Sequence, residues 1–125
     1  MPRGSRTSPE YSQREWRINL YRWARRRAKD RGIPFSLTYE DLEAIIDRAA
    51  GRCEVTGIAF SFRKPKKGRT RPWAPSLDRR NSDLGYTKRN VRLVCTAANY
   101  AMCDWGDQVL KRIAAAMRKC ACGGT

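Results

Sequence analysis

Residues Pro75 to Met102 read "PSLDRRNSDLGYTKRNVRLVCTAANYAM". Two stretches here are short and β-prone, "APSLDRR" from Ala74 and "NVRLVC" from Asn90. The turn-rich "NSDLGYTKR" joins them. Thr96 then reads as the cap of a helix that opens "AANYAM". A polar residue stands at each junction. Asp78 ends the first strand, Asn90 precedes the second, and Asn99 falls in the first turn of the helix. The pattern predicts strand, loop, strand, helix.

Upstream, Met1 to Thr7 is polar and basic and reads as a loose arm. Ser8-Pro9-Glu10 reads as a helix start, with Ser8 as cap, Pro9 at the first helical position and an acid in the first turn. In "YSQREWRINLYRWARRRAKDR", Trp16, Leu20 and Trp23 share one face and arginines fill most of the rest. Gly32 and Pro34 end this helix. A second helix follows, capped by Thr38 with Asp41 three residues on. Leu42, Ile45, Ile46 and Ala49 form its buried stripe, and Gly51 stops it. "RCEVTGIAFSF" suggests a short β-prone turn about Thr56-Gly57, and "RKPKKGRTRP" a basic loop. The last helix runs on to Cys120, with Met102, Trp105, Val109, Ile113 and Met117 on its apolar face and Gly106 as a weak point. Residues 120–125 read as a disordered tail.

The chain has 125 residues, enough for a single domain. The domain spans 8–119, with a helical leader at 8–50 and a core at 51–119. Lys and Arg number 27 against 12 acids, a net charge of +15. That surplus far exceeds what solubility needs and implies a polyanionic partner. Nucleic acid is the first candidate. No long apolar run, export signal or lipidation motif points to a membrane. Five scattered cysteines without an export signal fit a reducing cytoplasm.

The outline resembles the HNH, or His-Me finger, nuclease superfamily, nearest to the phage endonuclease VII type. "RAKDRGIPFSLTYEDL…GRCEVTGIAF" is similar to the leader of phage HNH-like proteins. The resemblance implies an α+β fold with a ββα-metal finger and flanking N-terminal helices. It implies a metal-dependent endonuclease that hydrolyses DNA phosphodiesters. Asp78 and Asn99 would hold one Mg²⁺ or Mn²⁺, and Asn90 would tie the loop. Arg79 stands where the family carries its base histidine, and this chain has no histidine at all. The partners implied are duplex or branched DNA, with RNA as a further ligand, and a second copy of the chain in a homodimer.

The chemistry fits these residue types. A hard cation takes oxygen ligands, often one or two from the protein, and neutralises charge on a phosphate. Read alone, Asp78 would equally suit a turn or an ion pair with a neighbouring arginine, and Asn99 a satisfied polar group at a helix start. Arg79 cannot accept a proton, because guanidinium is always charged and has no acceptor. Tyr86, Asp83 and Asp104 are the nearby candidates for a base. Otherwise bound water or a substrate phosphate serves, and Arg79 contacts the scissile phosphate; or the site only grips. Arg80, Lys88, Arg89 and Arg92 on the hairpin would face the strand to be cut. Arg22, Arg25 and Arg26 on the first helix read as a solvated face or a backbone clamp, and Lys66 and Lys67 as phosphate contacts. Trp73 reads as packing under the loop or stacking on an unpaired base. The alternative reading keeps the fold and loses catalysis, giving a nucleic-acid-binding protein or an inhibitor of a nucleic-acid-binding enzyme.

Many HNH proteins flank the finger with two Cys-x-x-Cys zinc knuckles. Here Cys53 is followed three on by Thr56, and Cys95 by Ala98. Each knuckle keeps its first thiol and lacks its second, so a structural zinc is not expected. Cys53 and Cys95 are expected to meet as small buried side chains.

Overall fold

The computed structural model describes residues 8–66 and 70–123. The expected arm at 1–7, Lys67 and the last two residues lie outside them.

Helix α1 spans Gln13–Arg31. Ser12 caps it, not Ser8. The Ser12 hydroxyl accepts the Glu15 N–H at 3.1 Å, and the Glu15 carboxylate accepts the Ser12 N–H at 3.1 Å. This reciprocal box satisfies two orphan donors. Ser8-Pro9-Glu10 offers no such exchange, and its backbone is used otherwise. Lys64 donates to the Pro9 carbonyl at 2.8 Å and Tyr11 donates to Phe62 at 2.9 Å, so the entry segment runs beside 62–64. Gly32, at φ 66°, closes the helix from the left-handed region. The buried face is Trp16, Ala24 and Ala28, with Leu20 half-buried between them. Trp23, expected on that face, is 66% exposed. The seam follows steps of four through Trp16, Leu20, Ala24 and Ala28, and Trp23 sits one position off it.

Helix α2 spans Tyr39–Ala49 and matches the expectation. Thr38 and Asp41 exchange hydrogen bonds of 3.0 Å each. Leu42, Ile45, Ile46 and Ala49 are buried. Each of the larger three contributes roughly 1.5–3 kcal/mol relative to an exposed position. Ala50, in the left-handed region, ends the helix just ahead of Gly51.

The expected β-prone turn at 52–62 shrinks to a single bridge between Arg52 and Ala59. The Glu54 N–H leaves it and bonds the Leu93 carbonyl at 2.9 Å. The hairpin is as read from the sequence. Strand β1, Pro75–Arg79, pairs antiparallel with β2, Val91–Cys95, placing Asp78 opposite Arg92 and Arg79 opposite Val91. All five β2 side chains are buried, with α2 packed against the strand.

Gly85 is needed for space. A Cβ there would lie 2.5 Å from the Pro34 carbonyl oxygen. The close approach lets Tyr86 N–H bond that oxygen at 2.9 Å and seats the Tyr86 ring 5.4 Å from Phe35.

Helix α3 spans Thr96–Met102. Thr96 lies inside it rather than capping it. The carbonyls of Ala74 and Pro72 accept the N–H groups of Thr96 and Ala97 at 2.9 Å each, so no side-chain cap is required. The expected single last helix is two. Cys103 and Gly106, both at positive φ, break the chain before α4, Asp107–Gly123. Met102 reaches the core, but Trp105, Ile113 and Met117 are exposed. From Lys111 to Ala121 every α4 side chain faces solvent. The stripe has helical spacing, but nothing among the described residues covers it. Nor does the helix stop at Cys120; it continues to Gly123.

Candidate active site

Asp78 and Ser76 are two apart on β1 and share a face. Asn99, projecting from α3, donates its carboxamide N–H to the Ser76 hydroxyl at 2.8 Å and to the Leu77 carbonyl at 3.4 Å. Both bonds use the amide nitrogen, which leaves the carboxamide oxygen as the free end. The hairpin and the helix thus bring Asp78 and Asn99 to one side of the finger.

Asp78 is not alone there. Arg92 Nε donates to its Oδ2 at 2.8 Å, and the two residues are 8% and 7% exposed. Expected among the DNA-facing cations, Arg92 is instead spent in the interior. Cross-strand register sets its side chain opposite Asp78, and burial makes that partner obligatory. Its other nitrogens reach Met102 Sδ at 3.6 Å and Asp107 Oδ2 at 3.6 Å. Asp107 also pairs with Lys111 at 3.4 Å. Burial pushes the Asp78 carboxyl above its usual range, with the Arg92 bond and charge pulling only part of the way back. Desolvation also opposes ionisation of Asp107, but Arg92 and Lys111 outweigh it and hold that carboxyl below its usual range. Sequence reasoning missed Ser76 and Asp107 and misassigned Arg92. The Asp78–Arg92 pairing follows once the hairpin register is drawn.

Asn90 ties the connecting loop. Its Oδ1 accepts the Asn81 N–H at 3.0 Å, and its Nδ2 donates to the carbonyls of Asn81 at 3.0 Å and Gly85 at 2.9 Å. Arg79 points to the opposite face from Asp78. Its Nη1 donates to the Ser82 carbonyl at 2.7 Å and to Leu84 at 2.9 Å, and its guanidinium carbon lies 5.4 Å from the Tyr86 ring centroid. Tyr86 is buried in the core beneath it. Asp83 and Asp104 are exposed, Asp83 in the hairpin loop and Asp104 between α3 and α4. Arg80, Lys88 and Arg89 are exposed around the loop, Arg22, Arg25 and Arg26 along α1, and Lys66 beyond Phe62.

Cys53 and Cys95 are both buried free thiols, close enough for each to influence the other's ionisation. Burial opposes ionisation of Cys53, yet the Thr56 hydroxyl and nearby N–H groups outweigh it and hold that thiol below its usual range. Burial pushes Cys95 up, against an N–H from Ala98.

Among the described residues no group of three or more His, Cys, Asp and Glu gathers. A hard cation bound through phosphate and water needs fewer protein ligands than that. The second oxygen of Asp78 and the carboxamide oxygen of Asn99 would make the minimum donor set. Arg92 would then be the hydrogen-bonded partner that orients the carboxylate. As hard oxygen donors, the two residue types suit one such ion.

No protein-family profile matches the chain, and no curated protein matches it in sequence. Among solved structures it is similar to the rare-cutting HNH restriction endonuclease PacI, described for its mechanism of DNA perturbation. The two share 18% identity and a TM-score of 0.61, over 83% of each chain. The chain therefore carries the HNH endonuclease fold, an α+β structure in which a ββα-metal finger sits among flanking helices.

Proposed function

We propose that the protein is an HNH-type endonuclease that hydrolyses DNA phosphodiesters with one divalent cation. The observation that supports this most is the Ser76–Asn99 bond, which holds the Asn99 carboxamide against β1 two residues from Asp78. Asp78 and Asn99 would hold the ion, and Arg92 keeps the carboxylate oriented. Bound Mg²⁺ or Mn²⁺ would supply Lewis acidity, polarising the phosphate and acidifying water. Arg80, Lys88 and Arg89 neutralise the DNA backbone where it crosses the hairpin. Asn90 keeps the loop in one shape, so these cations need not reorganise as charge develops. Arg79 contributes charge on the loop and no base. The test is supercoiled plasmid incubated with Mg²⁺ or Mn²⁺. Nicking that is lost with EDTA and in Asp78→Asn supports the enzyme.

A second reading has its own support. Arg92 already occupies one oxygen of Asp78, Arg79 is committed to two loop carbonyls, and the chain has no imidazole. On that reading the finger is a DNA-gripping module. Salt-sensitive, EDTA-indifferent binding with no nicking at any metal concentration would establish it.

A further inference from the structure

A cleft of about 500 Å³ opens between α1 and the chain that leads into β1. Its size falls within the roughly 300–1,000 Å³ typical of small-ligand sites. Aromatic rings form its walls. Trp16 and Phe62 pack at 4.9 Å between centroids, Tyr11 lies beside them, and the exposed Trp23 stands at the rim. Arg22, Arg26, Arg63 and Arg71 also line it, and none of the described lining residues is acidic. Arg71 is held in place by its bond from Nε to the Lys64 carbonyl at 3.2 Å.

We propose that this cleft binds an unpaired nucleotide, with its base stacked on Trp23 and its phosphate held by the arginines. Flat π faces call for a planar ring, and a cationic lining in which only Arg26 has an acidic neighbour, the exposed Asp30 at 3.9 Å, calls for an anion. A nucleotide has both within one compact unit. A paired base is not available to such a cleft, so the substrate is DNA with a single-stranded or branched segment. The lining ends at Ala74 and Pro75, the latter opening the strand that carries Asp78 three residues on. That separation is about 10 Å along the strand. The cleft therefore sits upstream of the candidate cutting site on the same element. The inference rests on the DNA-binding part of the proposed function and not on cleavage.

The experiment measures binding in EDTA, so that catalysis plays no role. A fluorescent duplex with a short thymidine tail is compared with the blunt duplex by anisotropy, for wild type and Trp23→Ala. The tailed duplex is expected to bind roughly ten-fold tighter, with tail-dependent quenching of tryptophan fluorescence. Trp23→Ala, at an exposed position, is expected to erase that preference and leave blunt-duplex affinity within about two-fold. Equal affinity of the wild type for both duplexes would overturn the proposal. So would an equal loss on both in Trp23→Ala, or displacement of the tail by an acidic aromatic peptide but not by thymidine oligonucleotides. A protein that never nicks DNA but keeps the preference retains this inference and loses the nuclease.

Discussion

Arg92 Nε lies 2.8 Å from Asp78 Oδ2 in the interior, and the same guanidinium reaches Asp107 at 3.6 Å. One cation therefore balances two carboxylates contributed by β1 and α4, while Lys111 assists only Asp107. The arrangement is asymmetric. Arg92→Ala leaves Asp78 buried without its partner and should cost about 3–5 kcal/mol. Asp78→Asn leaves Arg92 its second carboxylate and should cost clearly less. Urea unfolding of both variants checks the order; equal losses would remove Asp107 from the account.

Glu54 provides the pH dependence. It accepts two bonds from Arg48, at 2.6 and 2.9 Å, and the Leu93 N–H at 2.7 Å, tying α2 to β2. Desolvation opposes its ionisation, but these bonds and the charges of Arg48 and Arg80 outweigh it and depress the carboxyl. A depressed carboxyl contributes stability that is complete above its unfolded value, about 4.3, and is lost as pH falls through the folded value. Glu54→Gln should therefore cost about 2 kcal/mol at neutral pH. The gap to wild type should close as the pH falls below about 4. A gap that stays constant in unfolding measurements across that range would contradict the assignment.

Gly85→Ala should be costly although its backbone needs no positive φ. The added Cβ meets the Pro34 carbonyl at 2.5 Å, a backbone atom that cannot turn aside. A loss of about 3 kcal/mol is expected, since the loop must separate from Pro34. Thermal unfolding would show it, and a near-neutral effect would mean that the approach is looser than described.

Asn90→Ala removes the partner of the Asn81 N–H and of two loop carbonyls. A buried group left unsatisfied costs roughly 1–3 kcal/mol. Faster amide exchange is expected at Asn81 while the hairpin itself stays protected. Unchanged exchange at Asn81 would show that the clasp does not hold the loop.

Much of this was legible from local chemistry. The Thr38–Asp41 box, the α2 stripe and the hairpin are short-range patterns, and each formed as read. The Ser12–Glu15 box was equally present in the sequence, but the Ser-Pro-Glu just upstream offered a competing start. Asp78, Asn90 and Asn99 stood out as candidates because they stand at junctions. Arg92 was misread because an arginine on a strand resembles a surface residue until register gives it a buried partner. Trp23 and Met117 show the opposite limit. Periodicity marks an apolar face but does not say what packs on it, and here no described element covers either side chain.

The central claim concerns one ion shared by Asp78 and Asn99 beside a DNA backbone. The direct measurement is a Mn²⁺ titration followed by electron paramagnetic resonance, on the protein bound to an oligonucleotide, for wild type, Asp78→Asn and Asn99→Ala. One DNA-dependent ion per chain is predicted for wild type, abolished in Asp78→Asn and weakened in Asn99→Ala. Identical Mn²⁺ binding in all three proteins, or none beyond that of the oligonucleotide alone, would contradict the account.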